Sequence, residues 1–162
     1  MSELDKEASD SCIDEQLPIR RKKKNKKRNR RWLSDLDAVE IGPFFFVPLT
    51  CTKDLKDEGH AMEHCVGTFA NFCRGDWLRV FSVRDLLGQK RLATLSLIFE
   101  HDHWCLDQIK GIRNTDVINQ EQTYFDGDQV ITDLSRTDLY YAGMELVEMY
   151  RRASECIRGG PR

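Results

Sequence analysis

The chain has 162 residues, of which 40% are hydrophobic and 32% charged, with a formal net charge of −2. That length supports one domain with a proper core and is short for two. No run approaches the roughly 20 apolar residues of a membrane helix, and the acidic, polar first residues hold no apolar h-region, so no membrane span is expected and a cytoplasmic location is.

The net charge conceals a segregation. Residues 1–18 carry six acids and one base, and residues 19–31 read IRRKKKNKKRNRR, ten bases without an acid. The remaining residues, 32–162, hold 14 bases against 21 acids, a net of −7. Like charges at that density repel and leave nothing to bury, so residues 1–31 are expected to be a disordered acidic tip and basic arm, and 32–162 the folded domain. The boundary is set at Trp32 and Leu33, the first apolar cluster.

In the domain, Ile41 and Phe44 to Leu49 form an apolar run bracketed by Gly42-Pro43 and Pro48, which suits a short extended segment. Thr50 or Thr52 can cap a following helix with Asp54 in its first turn, and Leu55, Met62 and Val66 keep helical spacing over 53–66. A second short helix is expected over 68–73, before the turn Arg74-Gly75-Asp76. The period then changes to two. Residues 77–83, 91–99 and 103–110 read as three strands with short polar joins, an antiparallel meander whose middle strand is partly buried on both faces. Residues 111–132 read as loops around one short helix. Residues 133–157 carry a broad apolar stripe (Leu139, Ala142, Met144, Leu146, Val147, Met149, Tyr150) that predicts a helix ended by Gly159-Gly160-Pro161. The fold class is therefore α+β: a small antiparallel meander packed by helices.

The six cysteines, at 12, 51, 65, 73, 105 and 156, form no CxxC pair and are expected to be reduced thiols in this setting. The densest chemistry lies in EGHAMEHCVGTFANFC, residues 58–73. His60 and His64 stand at i and i+4 and share a face if the segment is helical. His60, His64, Cys65 and Cys73 have the side-chain types of a zinc set, although adjacent His64 and Cys65 point about 100° apart on a helix, so no metal is the primary expectation. Cys65 as a catalytic thiolate with His64 as base is an alternative, as is a structural role in which Cys65 is a small buried residue and His64 a hydrogen-bonded one. A fourth reading is a non-covalent polar site at His64.

This segment resembles the PcfJ-like family. His64-Cys65-Val66-Gly67-Thr68-Phe69 is similar to its His-Cys-Val-Gly-x-aromatic signature, with Glu58-Gly59 before it and Cys73 and Gly75 after. Val80-Phe81-Ser82-Val83-Arg84 resembles its strand ending in Ser-x-Arg, Ala93-Thr94-Leu95 its second strand, and Trp104 with Gln108 to Asn114 its Gln-x-x-Gly-x-x-Asn close. The ordered match covers residues 41–114 and leaves out the arm and the C-terminal helix. The family is named for a protein of a conjugative plasmid and recurs on plasmids, phages and integrated elements, which implies a mobile-element setting and no particular reaction.

In a meander, the ends of the first and third strands flank the second, so Ser82, Arg84, Gln108 and Asn114 are expected near one end of the sheet, with His64 presented to them. Such a group suits a phosphate or a nucleotide edge. The arm residues Arg20, Arg21, Lys22, Lys23, Lys24, Lys26, Lys27, Arg28, Arg30 and Arg31 suit phosphate contacts, without aromatics for base stacking. Three readings follow. The first is a nucleic-acid-associated accessory protein of a mobile element, whose domain binds a ligand or partner. The second is an enzyme using His64, Cys65, Arg84 and Gln108 on a nucleotide or phosphorylated substrate. The third is an adaptor or inhibitor of a host protein. None requires a cofactor.

Overall fold

The computed structural model describes residues 29–158. Most of the arm therefore lies outside the described residues. Its root does not. Arg31 forms an antiparallel bridge with Cys51, the Thr52 amide donates to the Arg30 carbonyl at 2.9 Å, and the Lys53 amide donates to Asn29 Oδ1 at 3.0 Å. Trp32 is buried, its indole N–H donating to the Leu49 carbonyl at 2.8 Å. Arg30 and Arg31 are thus tied to the body by their backbones while their side chains are exposed.

The Gly42-Pro43 pair turns the chain between β1 (Val39–Ile41) and β2 (Phe44–Pro48), with Gly42 at φ 56°. After a helical excursion follow β3 (Leu78–Asp85), β4 (Arg91–Glu100) and β5 (His103–Lys110). All five strands pair antiparallel in sequence order, so the expected meander is present and extended by two strands on the β3 side. One face of the sheet presents Phe81, Val83, Ala93, Leu95, Leu97, Trp104 and Ile109 to Leu139, Ala142, Leu146, Val147 and Tyr150 of a long C-terminal helix. The opposite face presents Leu78 and Val80 to Trp32, Leu49, Leu55, Val66 and Cys73. Burial on both faces explains why every residue from Leu78 to Val83 is buried.

α1 (Thr52–Ala61) and α2 (Ala70–Arg74) cover that second face, joined by a 3-10 turn at Cys65–Thr68. Two expectations are corrected here. The N-cap of α1 is Cys51, whose sulfur accepts from the Asp54 amide, and neither Thr50 nor Thr52 takes that role. The helix does not run to Val66. Met62 closes it, Glu63 takes a left-handed conformation (φ 53°), and the His64 amide returns to the Gly59 carbonyl at 3.0 Å, the bonding of a Schellman stop. His64 is therefore extended (φ −142°, ψ 172°), and the helical i, i+4 face shared by His60 and His64 does not exist. The short helix expected over 68–73 is present as α2, beginning at Ala70 after the 3-10 turn that ends at Thr68.

Residues 111–136 also differ from expectation. A 3-10 turn at Ile112–Asn114 is followed by a hairpin, β6 (Asn119–Asp126) and β7 (Gln129–Arg136), paired only with each other. The turn Gly127-Asp128 uses Gly127 at φ 63°. Residues 133–136 are strand, and α3 spans Asp138–Arg158, its start marked by the Tyr140 amide donating to Thr137 Oγ1 at 3.4 Å. The glycines and proline expected to end it lie outside the described residues. No described helix is long and apolar enough to cross a membrane.

Candidate functional site

The second face of the sheet is apolar at one end and polar at the other. β4 alternates Ala93, Leu95 and Leu97 towards α3 with Thr94 and Ser96 towards α1, so two hydroxyls lie in the floor under the His64 segment. Register sets Thr94 opposite both Ser82 and Lys110, and Ser96 opposite Gln108. A bulge between Ser96 and Leu97 leaves Asp107 without a partner on β4, and Asp107 Oδ2 accepts from Ser96 Oγ at 2.7 Å.

Above this floor, the end of α1 inserts Glu58, which has no exposed surface. Its Oε2 accepts from Arg91 Nε at 2.7 Å and its Oε1 from Thr94 Oγ1 at 2.8 Å. Thr94 Oγ1 is in turn 2.9 Å from His64 Nε2. A chain of polar contacts thus runs Arg91–Glu58–Thr94–His64, and it works because the Schellman stop releases His64 from the helix and lets it drop onto the sheet. Gly59 makes the reversal possible: a Cβ there would lie 2.9 Å from the His64 carbonyl oxygen.

His64 and Cys65 form one lip of a cleft of about 30 Å³, water-sized, with Val66 and Phe69 as its apolar wall. Thr94, Ser96, Gln108 and Lys110 are its floor, and Asn114 closes the far side. Two neighbouring left-handed residues, Arg113 (φ 53°) and Asn114 (φ 60°), set that side, and Arg113 is fastened to Glu63 at 2.6 Å across the two loops. The hydrogen bond from Arg113, and then its charge, hold the Glu63 carboxyl below its ordinary value.

Of the residues singled out from sequence, His64, Cys65, Gln108 and Asn114 meet in this cleft. Ser82 and Arg84 do not line it. Ser82 is fully buried and accepts from Arg84 Nε at 3.2 Å, and Arg84 turns back to the Gly88 carbonyl at 3.3 Å, supporting the β3–β4 turn. Cys65 is exposed, so it is not the buried packing residue of the structural reading. The zinc alternative does not assemble. Among the described residues no group of three or more His, Cys, Asp or Glu is arranged for a metal; Cys73 is buried in the core, where burial pushes its thiol up to about 11, and His60 is exposed on α1. The five described cysteines are free thiols. Glu58, Thr94, Ser96, Lys110 and Arg91 join the site only in the fold. Thr94 and Ser96 carried a signal, hydroxyls on one face of an otherwise apolar strand. Glu58 carried none beyond its place before Gly59.

The fold and this cleft together define an α+β domain with an antiparallel sheet whose polar end is closed by a His-Cys-Val-Gly turn. The chain belongs to the PcfJ-like protein family, whose model matches residues 5–125. That match reaches further in both directions than the motifs at 41–114, taking in the basic segment and half of the β6–β7 hairpin. No curated protein and no solved structure matches the chain.

Proposed function

We propose that the protein is a nucleic-acid-associated accessory factor of a mobile genetic element, in which the basic arm holds phosphates and the folded domain binds a ligand in the His64 cleft. The observation that carries it is charge segregation: ten bases without an acid, adjoining a domain of net −7. An acidic body alone is repelled by a polyanion, so the arm must supply the attraction. The match of the family model over residues 5–125 includes that arm, and the plasmid and phage setting implied by the family agrees with it. An arm engaging about five to eight phosphates gives log K against log salt a slope of roughly −4 to −7 on duplex DNA. Deleting residues 1–28 abolishes most binding in this reading. A truncated chain that binds as tightly as the full one, or a slope near zero, moves the adaptor reading ahead.

A second reading, an enzyme acting on a nucleotide or phosphorylated substrate, is favoured by the exposed Cys65 beside a His64 whose ring is held through Thr94. The separating test is Cys65→Ser in the cellular process the protein serves. Loss of the process with normal folding supports catalysis; retention supports a binding site.

A further inference from the structure

The hydrogen bonds around the cleft determine which chemistry it can accept. Thr94 has a single hydroxyl proton, and that proton goes to Glu58 Oε1 at 2.8 Å. The 2.9 Å contact with His64 must then be a donation from His64 Nε2–H into a Thr94 lone pair. His64 is left with Nδ1, which has no partner among the described residues and, in the neutral ring, only a lone pair to offer. Ser96 is in the same position, its proton committed to Asp107 Oδ2 at 2.7 Å. Three small polar groups at the cleft therefore present lone pairs. The carboxamides of Gln108 and Asn114 offer one donor end and one acceptor end each, and Lys110 offers N–H alone.

A phosphate brings only lone pairs and meets lone pairs at His64 Nδ1 and Ser96 Oγ. An amino group next to a ring nitrogen suits the cleft better: its N–H bonds are met by His64 and Ser96, and the ring nitrogen is met by Lys110 or a carboxamide. The water-sized space of about 30 Å³ takes the amino group of such an edge, and half-buried Phe69 supplies an apolar wall beside it. We infer that the cleft reads the amino-bearing edge of an unpaired nucleobase, the amidine pattern shared by adenine and cytosine. The inference rests on the nucleic-acid reading above and narrows it: the arm positions the strand by its phosphates, and the cleft selects a base.

The test uses the full chain and ligands without phosphate, so that the arm takes no part. Adenosine, cytidine and uridine are titrated while the 15N resonances of His64 are followed by NMR. The expected result is an Nε2–H tautomer in the free protein and binding of adenosine or cytidine about tenfold or more tighter than uridine. Thr94→Val, which cuts the link from Glu58 to His64, erases that preference. Asn114→Ala, at an exposed position, weakens binding as well and serves if the buried valine variant does not fold. Equal affinity for the three nucleosides, no binding of any, an Nδ1–H tautomer, or displacement of the nucleoside by inorganic phosphate overturns the inference. The two readings fail separately when dA, dC and dT oligomers are compared over a range of salt. A steep salt slope without base preference keeps the arm and removes the base-reading cleft. A base preference with a flat salt slope does the reverse.

Discussion

Glu58 is fully buried with both carboxyl oxygens accepting hydrogen bonds, from Arg91 and from Thr94. Truncating it leaves the Thr94 hydroxyl without its acceptor and Arg91 without its counter-charge. Glu58→Ala is expected to cost about 3 kcal/mol in urea unfolding, at the lower end for a broken buried pair because Arg91 is 32% exposed and can rehydrate. Gly59→Ala places a methyl against the backbone of the reversal, 2.9 Å from the His64 oxygen and 3.2 Å from the Gly67 nitrogen. Backbone cannot step aside as a side chain can, so a loss of about 1–3 kcal/mol is expected in the same measurement. The thiols separate by exposure. Cys65 and Cys156 are expected to react rapidly with a thiol reagent at pH 8, whereas Cys73, buried and with its thiol pushed up to about 11, reacts only on unfolding. Cys65→Ser, at an exposed position, should change stability by no more than about 0.5 kcal/mol.

Among the elements, the β6–β7 hairpin stands apart. It pairs with no other strand, and Phe125, Val130 and Leu134 on it are exposed. A two-stranded hairpin is marginal in water, so its amides are expected to exchange with deuterium far faster than those of β3 and β4, whose side chains are buried on both faces. Comparable protection in the two sets would mean that the hairpin is covered in solution. The loop below it depends on ionised carboxyls. Glu63 is lowered by Arg113, and Asp116 chiefly by its bond from Asn119. Groups with folded values below their unfolded ones stabilise the fold above the ordinary carboxyl range and lose that contribution as pH falls through the folded values. The 111–119 loop is accordingly expected to loosen below about pH 4, before the core, with NMR shifts of Arg113 and Asn119 as the readout.

For the whole molecule, the decisive boundary lies at the root of the arm. The first apolar cluster in the sequence sets it at Trp32, with 32–162 as the folded domain. Asn29 and Arg30, however, bond to Lys53 and Thr52 at the start of α1, and Trp32 is anchored on Leu49. Deleting residues 1–28 should therefore leave the thermal midpoint unchanged, whereas deleting 1–31 should lower it. Trp32→Ala should cost about 3–5 kcal/mol as a large buried aromatic is lost.

Strand periodicity was enough to read the meander, because β3, β4 and β5 are local, contiguous and joined by short turns, and side-chain alternation is a property of the strand itself. The long helix was legible from its stripe, but its start was not, because Thr132 to Arg136 satisfy their backbone across the hairpin to residues 119–123, a pairing that the stripe does not encode. The Gly127-Asp128 pair was the available hairpin signal. At the site, meander connectivity read from the sequence puts His64, Gln108 and Asn114 at one end of the sheet, but with Ser82 and Arg84, which do not line the cleft. Only the tertiary structure decided that Arg84 folds back onto its own turn, that a left-handed Glu63 frees His64 from α1, and that Glu58 reaches His64 through Thr94. Those outcomes depend on which hydrogen-bonding partner is nearest in space. Residue 94 lies 36 positions from Glu58 and 30 from His64, and only the antiparallel register and the reversal at Gly59 bring the three within bonding distance.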